Sequence, residues 1–490
     1  MPSIDTKKLL SLLLPLAMAA CSLSGQATQT AGLPATGTPP AASLAATLPP
    51  RLTTTPAATV SATPAASATP SAPAGAILVD TFDQEVFPFK PDGNCSLGEA
   101  IAAAQSGQDV DGCHGTPGSS TIYLPAGTYT LTGPDAGSPP LPGAEGRLGF
   151  APGGFPVIYT RVTILGNGSV IQRSGAVKFP IFQAAAQADL TLQDLTVRGG
   201  DSSGTQYASG GAIQLLVGTV TLDHVTLSDN VSGQDGGAVD VGQAPLAKLV
   251  VKDALIRNNT AAYNGGGIND DGLLTVTNST IEGNTAGGVE GGGGVFVTDN
   301  GSATITGSMV AGNQAWIGGG IFSQGSLTVS GSVISGNRAM ESRFTVPTGG
   351  GGIAAAHADA VRLTVKDSFI LGNRAAQSIG GGISVGVADA GDFRLTGSVV
   401  AGNQARDGGG IAGGPGSVAG SCLLDNAAGG SSAGDLDGSL QAGGNWWGPG
   451  GSPHVSRGVT TAPLLAGAPA ICAAALPTPY PTIVGTPVSP

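Results

Sequence analysis

An eleven-residue pattern recurring through the middle of the chain constrains its fold more than any other feature. One copy reads Leu274-Thr275-Val276-Thr277-Asn278-Ser279-Thr280-Ile281-Glu282-Gly283-Asn284, and the next, Ala303 to Asn313, keeps apolar, small and asparagine residues at the same offsets. Further copies span Val220 to Asn230, Leu249 to Asn259, Leu327 to Asn337, Leu363 to Asn373 and Phe393 to Asn403, with a looser one from Leu190 to Gly200. Glycine runs ending in Ile or Val alternate with the copies. The residues that close them, Ile213, Val239, Ile268, Val295, Ile321, Ile353, Ile383 and Ile411, lie 26, 29, 27, 26, 32, 30 and 28 positions apart. Repeats of that length build solenoid coils or propeller blades.

Apolar residues at the first and third positions of a copy, then at the sixth and eighth, describe two alternating strands separated by a one-residue phase change, which is a corner. A path of strand, corner, strand, glycine-rich turn and strand closes a triangular coil. Stacked coils pair each strand in parallel with its copy above, about 4.8 Å away. Propeller blades need antiparallel hairpin signals, and none is present. The reading is therefore all-β: a right-handed parallel β-helix, or solenoid. Its recurrent asparagines, Asn230, Asn259, Asn284, Asn313, Asn337, Asn373 and Asn403, with Asn426 outside a clean copy, are read as structural. Each is expected to take left-handed backbone at a turn and to bond to the copy above.

Composition agrees: 82 glycines in 490 residues without a three-residue period exclude collagen, and 11% charged residues is far from an ordinary globular balance. A net charge of −12 with no basic cluster excludes nucleic acid as a partner. It leaves calcium as the one cofactor open to consideration. Lys7 and Lys8 precede an apolar run from Leu9 to Ala20 that is too short to span a membrane, so residues 1–20 read as an export signal. The stretch Leu16-Ala17-Met18-Ala19-Ala20-Cys21 resembles a bacterial lipoprotein box, which implies lipidation of Cys21 and a membrane anchor at the cell surface. Residues 21–76, rich in Pro, Ala and Thr, form a disordered linker or stalk. A cap with the first coils follows over 77–175, the repeats over 176–455, and a C-terminal segment with a Pro-rich tail over 456–490. Cys95, Cys113, Cys422 and Cys472 suit disulfides in an exported chain; of three connectivities, the local one pairs Cys95 with Cys113 and Cys422 with Cys472.

A solenoid must close its ends. Ser96-Leu97-Gly98-Glu99 is a capping box before the apolar stretch Ala100 to Ala104, predicting a short helix that lies over the first coil. Trp446 and Trp447 are assigned to the opposite cap, and Trp316, just after Asn313, is the candidate for an exposed ligand contact.

Cys95-Ser96-Leu97-Gly98-Glu99-Ala100-Ile101, then Asp111-Gly112-Cys113 and Ile122-Tyr123-Leu124-Pro125-Ala126-Gly127-Thr128-Tyr129, resembles the entry module of bacterial CSLREA-domain proteins, with Gly98 in place of an arginine. The resemblance implies a β-helix of the pectin-lyase-like superfamily. The glycine-glycine-x-Ile runs, with strand ends such as Phe369-Ile370-Leu371-Gly372-Asn373, are similar to repeats of chlamydial polymorphic outer-membrane proteins, which implies a surface adhesin. Together these cover about residues 77 to 455.

Enzymes of that superfamily set the competing expectation. A glycosidase needs paired carboxylates on one face, but Asp194, Asp253 and Asp367 at the fifth template position, Asp223 at the fourth and Glu282 at the ninth scatter over coils and faces. A lyase of the superfamily would place Lys or Arg beside an aspartate cluster. The clusters Asn269-Asp270-Asp271, Asp299-Asn300 and Asp435 with Asp437 are expected in solvated turns with no basic partner, and the histidines at 114, 224, 357 and 454 at the surface. Asp109-Val110-Asp111-Gly112 begins like a calcium loop without its closing glutamate. Sequence alone thus favours a non-catalytic, lipid-anchored β-helix that binds surface glycans or proteins. A secreted polysaccharide lyase or hydrolase comes second, and a structural envelope component third.

Overall fold

Alternation decides which side chains go inside. Leu274, Val276 and Ile281 are buried while their neighbours Thr275, Thr277 and Thr280 stay partly exposed, and the same positions in every coil stack into one continuous core. The computed structural model describes residues 72–474 apart from 116–117, 119, 136–151, 205–208, 243–246, 341–348, 357–361, 387–391, 431–433, 450 and 466, with backbone alone at 376, 473 and 474. Cys21, His357, the export signal, most of the stalk and the Pro-rich tail lie outside the described residues.

Each coil runs through strands such as Ile268–Asp270, Leu273–Thr277 and Thr280–Glu282, and every strand pairs in parallel with its equivalents above and below: Val239↔Ile268↔Val295, Leu249↔Leu274↔Ala303, Ile256↔Ile281↔Val310. The three-sided coil expected from sequence has a fourth, shorter side. Two residues after each ladder asparagine, such as Thr260–Ala261 and Thr285–Ala286, form a separate parallel sheet. Pairing begins at Ile77–Leu78 and continues past residue 455, with bridges from Gln441 to Thr460 and from Asn445 to Leu464.

The corners are left-handed residues. At the fifth template position stand Asp194, His224, Asp253, Asn278, Gly307, Gly331, Asp367, Gly397 and Gly420, and at the tenth Gly199, Asp229, Asn258, Gly283, Gly312, Gly336, Gly372, Gly402 and Asp425; all have positive φ. The asparagines at the eleventh position do not, which corrects the expectation that they supply the left-handed turn. The residue before each one does, and the asparagine is freed to point inward. Two glycines then bring the chain onto the first strand. Gly265 has φ 62°, and a Cβ on Gly266 would lie 2.4 Å from the Gly293 carbonyl oxygen.

Helix α1, Leu97–Ser106, closes the N-terminal end. Ser96 and Glu99 form the capping box with both hydrogen bonds, and Leu97, Ala100, Ile101 and Ala103 join the core beside Ile77, Val79 and Ile122. Among the described residues no helix is long and apolar enough to cross a membrane.

Candidate functional site

The middle residue of each first-face strand points away from the core, because the residues flanking it point in. In register these are Gln183, Gln214, Asp240, Asn269, Phe296, Phe322 and Ala354. All are nonetheless buried. The line has a polar and an apolar half. Gln183 Nε2 donates to Gln214 Oε1 at 3.0 Å, and Asn269 Nδ2 donates to Asp240 Oδ1 at 2.7 Å. Phe296 and Phe322 then lie 5.4 Å apart, packed with Ile317, Ala354 and Trp316.

Asp240 gathers acidic neighbours. Burial pushes its carboxyl up to about 7, with the charges of Asp235 and Asp271 adding and bonds from Asn269 and Ser209 opposing. Burial also raises Asp235, whose Oδ1 accepts the Asn264 N–H at 2.9 Å. Asp271 Oδ1 accepts from the Thr298 hydroxyl and from Asn300 Nδ2. The expectation of a solvated Asn269-Asp270-Asp271 turn is therefore corrected. Ile268–Asp270 is a rung of the first face, Asp270 points inward at 0% exposure, and Gly272 N–H reaches its Oδ1 at 3.1 Å. Its Oδ2 has no partner, and burial pushes the carboxyl up to about 7. Asp435 is likewise buried and accepts Asn426 Nδ2 at 3.0 Å. Chemically, a carboxyl raised by burial beside further carboxyls is the kind of group that general acid catalysis uses.

A second cluster forms where two corners stack. Asp223, His224 and Asp253 bring ligand atoms within 4.8 Å of one another. Lys252 occupies the same spot, its Nζ 3.3 Å from both Asp223 oxygens and 3.6 Å from Asp253 Oδ2, while His224 Nδ1 lies 2.7 Å from Asp223 Oδ1. The expectation that Asp223 and Asp253 scatter over different coils and faces is therefore corrected: stacking brings them together, with Lys252 between them. Hydrogen bonding to Asp223 raises the lysine pKa further, however, and a lysine held protonated is a poor base for β-elimination.

The remaining sequence candidates are structural in their contacts. Disulfides join Cys95 to Cys113 and Cys422 to Cys472. Asn313 is typical of the ladder: Oδ1 accepts from the Asn284 amide N–H and Nδ2, both at 2.9 Å, while Nδ2 donates to Ile281 O at 2.9 Å and to Asn337 Oδ1 at 3.0 Å. The chain of contacts runs from Gly200 N–H on Asn230 through Asn259, Asn284, Asn313, Asn337, Asn373 and Asn403 to Asn426. A parallel serine ladder, Ser279, Ser308, Ser332, Ser368, Ser398 and Ser421, takes each preceding coil's sixth-position N–H on its hydroxyl. It escaped the sequence reading, although the small residue fixed at that position signalled it. Trp316, the candidate ligand contact, is half-buried, and its Nε1 donates to Gly287 O at 3.0 Å. Trp446 and Trp447 are buried at the C-terminal end.

Residues 181–370 match a family described as a right handed beta helix region. A comparison with curated proteins finds no match. Among solved structures, the A-module of the mannuronan C-5 epimerase AlgE6 of Azotobacter vinelandii is 14% identical, covering 74% of this chain and 84% of that one at a TM-score of 0.35; a likeness that weak carries no argument about the site. With its parallel ladders and the match over 181–370, the described part of the chain folds as a right-handed parallel β-helix.

Proposed function

We propose that the chain is an exported, non-catalytic surface scaffold: a rigid β-helix tethered through Cys21 that presents its loops to glycans or proteins. The observation that carries this reading is that the side chains a reacting site would use are engaged between coils. Asp240 bonds to Asn269, Asp223 and Asp253 hold Lys252, and the Trp316 indole bonds to Gly287. Two disulfides suit an oxidising exterior. Incubating the full chain with a panel of acidic and neutral polysaccharides, with and without calcium, is expected to retain intact polymer without cleavage. Chain scission would overturn the reading. For the anchor, Cys21→Ala is expected to release the protein from the membrane fraction, and its retention there would sink that part.

The carboxylates around Asp240 favour one second reading, a carbohydrate-active enzyme. On that reading cleavage is seen and Asp240→Asn abolishes it.

A further inference from the structure

We propose that the N-terminal cap carries a divalent-cation site of the calcium class, formed by Glu85, Asp92, Glu99 and Asp111. Three chain segments converge there. The start of α1 lies against the segment of Glu85, so closely that a Cβ on Gly98 would sit 2.7 Å from the Glu85 carbonyl oxygen. Residues 111–113 lie against 92–95: Asp111 Oδ2 accepts the N–H groups of Asp92 at 3.0 Å and Gly93 at 2.7 Å, Gly112 N–H reaches Asn94 O at 3.1 Å, and the Cys95–Cys113 disulfide joins the two stretches.

These contacts crowd four carboxylates together. Asp92 comes within side-chain hydrogen-bonding reach of both Glu85 and Asp111, and Glu99 feels the charges of Asp92 and Asp111 and acts on Glu85. Two carboxylates at that range need a proton or a cation between them. Among the described residues no ion pair joins Lys, Arg or His to any of the four.

A second observation concerns the same carboxylates. Glu99 is 0% exposed; its Oε2 takes the Ser96 N–H at 3.0 Å, but its Oε1 is buried with no partner, as is Glu85 Oε2. A buried carboxylate oxygen without a donor is costly unless something positive reaches it. The donor set is all oxygen and comes from distant points in the chain. That suits calcium, which accepts irregular shells of six to eight oxygens, better than magnesium, which demands an octahedron. The four do not reach the mutual 4.8 Å spacing of Asp223, His224 and Asp253, so binding draws them inward against their repulsion.

Calorimetric titration of the full chain with calcium chloride, paired with thermal melts in calcium, magnesium and potassium chlorides at matched ionic strength, tests the site. The expected result is one calcium site with Kd on the order of 10⁻⁴ to 10⁻³ M and a melting temperature raised by calcium beyond the salt controls. Glu85→Gln and Asp92→Asn each weaken binding by roughly tenfold or more by removing a charged ligand, whereas Asp223→Asn with Asp253→Asn leaves it unchanged. Without calcium, Glu85→Gln melts no lower than the unsubstituted chain, because it relieves a like-charge contact. The proposal is overturned by absence of calcium heat, by a calcium response that survives both cap variants or disappears with the corner variant, or by a Glu85→Gln protein that is destabilised without calcium yet still binds it.

Discussion

Asp253 and Asp367 stand at corners with φ of 49° and 50°, where other coils place Asn278 or glycine. Conformation explains these acids better than chemistry does, since Asp, Asn and Gly are the residues that visit left-handed backbone at least cost. Asp367→Gly is therefore expected to be nearly neutral, because the exposed Lys366–Asp367 ion pair it removes contributes at most about 1 kcal/mol. Asp367→Val should cost about 1–2 kcal/mol. Urea denaturation of the pair checks this, and equal losses would mean that the carboxylate matters in itself. The asparagine ladder has a larger stake. Asn313→Ala removes four hydrogen bonds and strands the Asn284 donors and the Ile281 carbonyl in the core, for a loss of about 3–5 kcal/mol. Ser308→Ala, which mainly strands the Ser279 N–H, should cost about 1–2 kcal/mol on the same assay.

A rung is three residues long and needs its first and last side chains inside, which puts Asp270 where neighbouring coils have Val241 and Val297. An aspartate there is tolerated because it is neutral over much of the pH range. Its folded pKa is raised to about 7, against about 3.9 in the unfolded chain, so the folded state holds the proton more tightly and stability falls as pH rises between those values. Thermal melts from about pH 4 to about pH 8 should decline by an amount worth up to about 4 kcal/mol for this group. Asp270→Asn, of the same shape and never charged, should remove much of that slope. Asp240, pushed to about 7 by burial, adds a decline of the same sign, so the double variant should be flattest. A profile unchanged by Asp270→Asn would show that the carboxyl is solvated.

Stacked coils leave a core open at each end, and the two ends close differently. α1 lies over the first coil. At the other end Trp447 joins the core, while Trp446 packs with Cys422, Cys472 and Ile471, so the disulfide holds helix α2, Ala470–Ala474, against the last coils. The closed loop spans a sequence separation of 50, and opening it by Cys422→Ala with Cys472→Ala should lower stability by up to about 4 kcal/mol. Tryptophan emission should shift to the red as Trp446 meets water, and sizing chromatography should show self-association as the last coil is uncovered. Unchanged emission would mean that the aromatic cap stands without the bridge.

Repeat spacing and period-2 alternation determined the parallel coil, its core positions and the stacking of the asparagines from coil to coil, because a solenoid repeats one local solution and each copy restates it. The capping box was legible for the same reason, since both its hydrogen bonds lie within four residues. Which residue turns each corner was half legible: Gly, Asp, Asn and His share the fifth and tenth positions, a mixture that reads as chemistry until φ is known. Tertiary structure alone decided what happens between coils. It set Asp240 against Asn269 from 29 residues away and Lys252 against Asp223 at the same remove, buried Asp270, and drew Glu85, Asp92, Glu99 and Asp111 into one corner of the cap. Coil lengths vary with the loops, so the partner of an outward side chain depends on stacking register, which no local pattern carries.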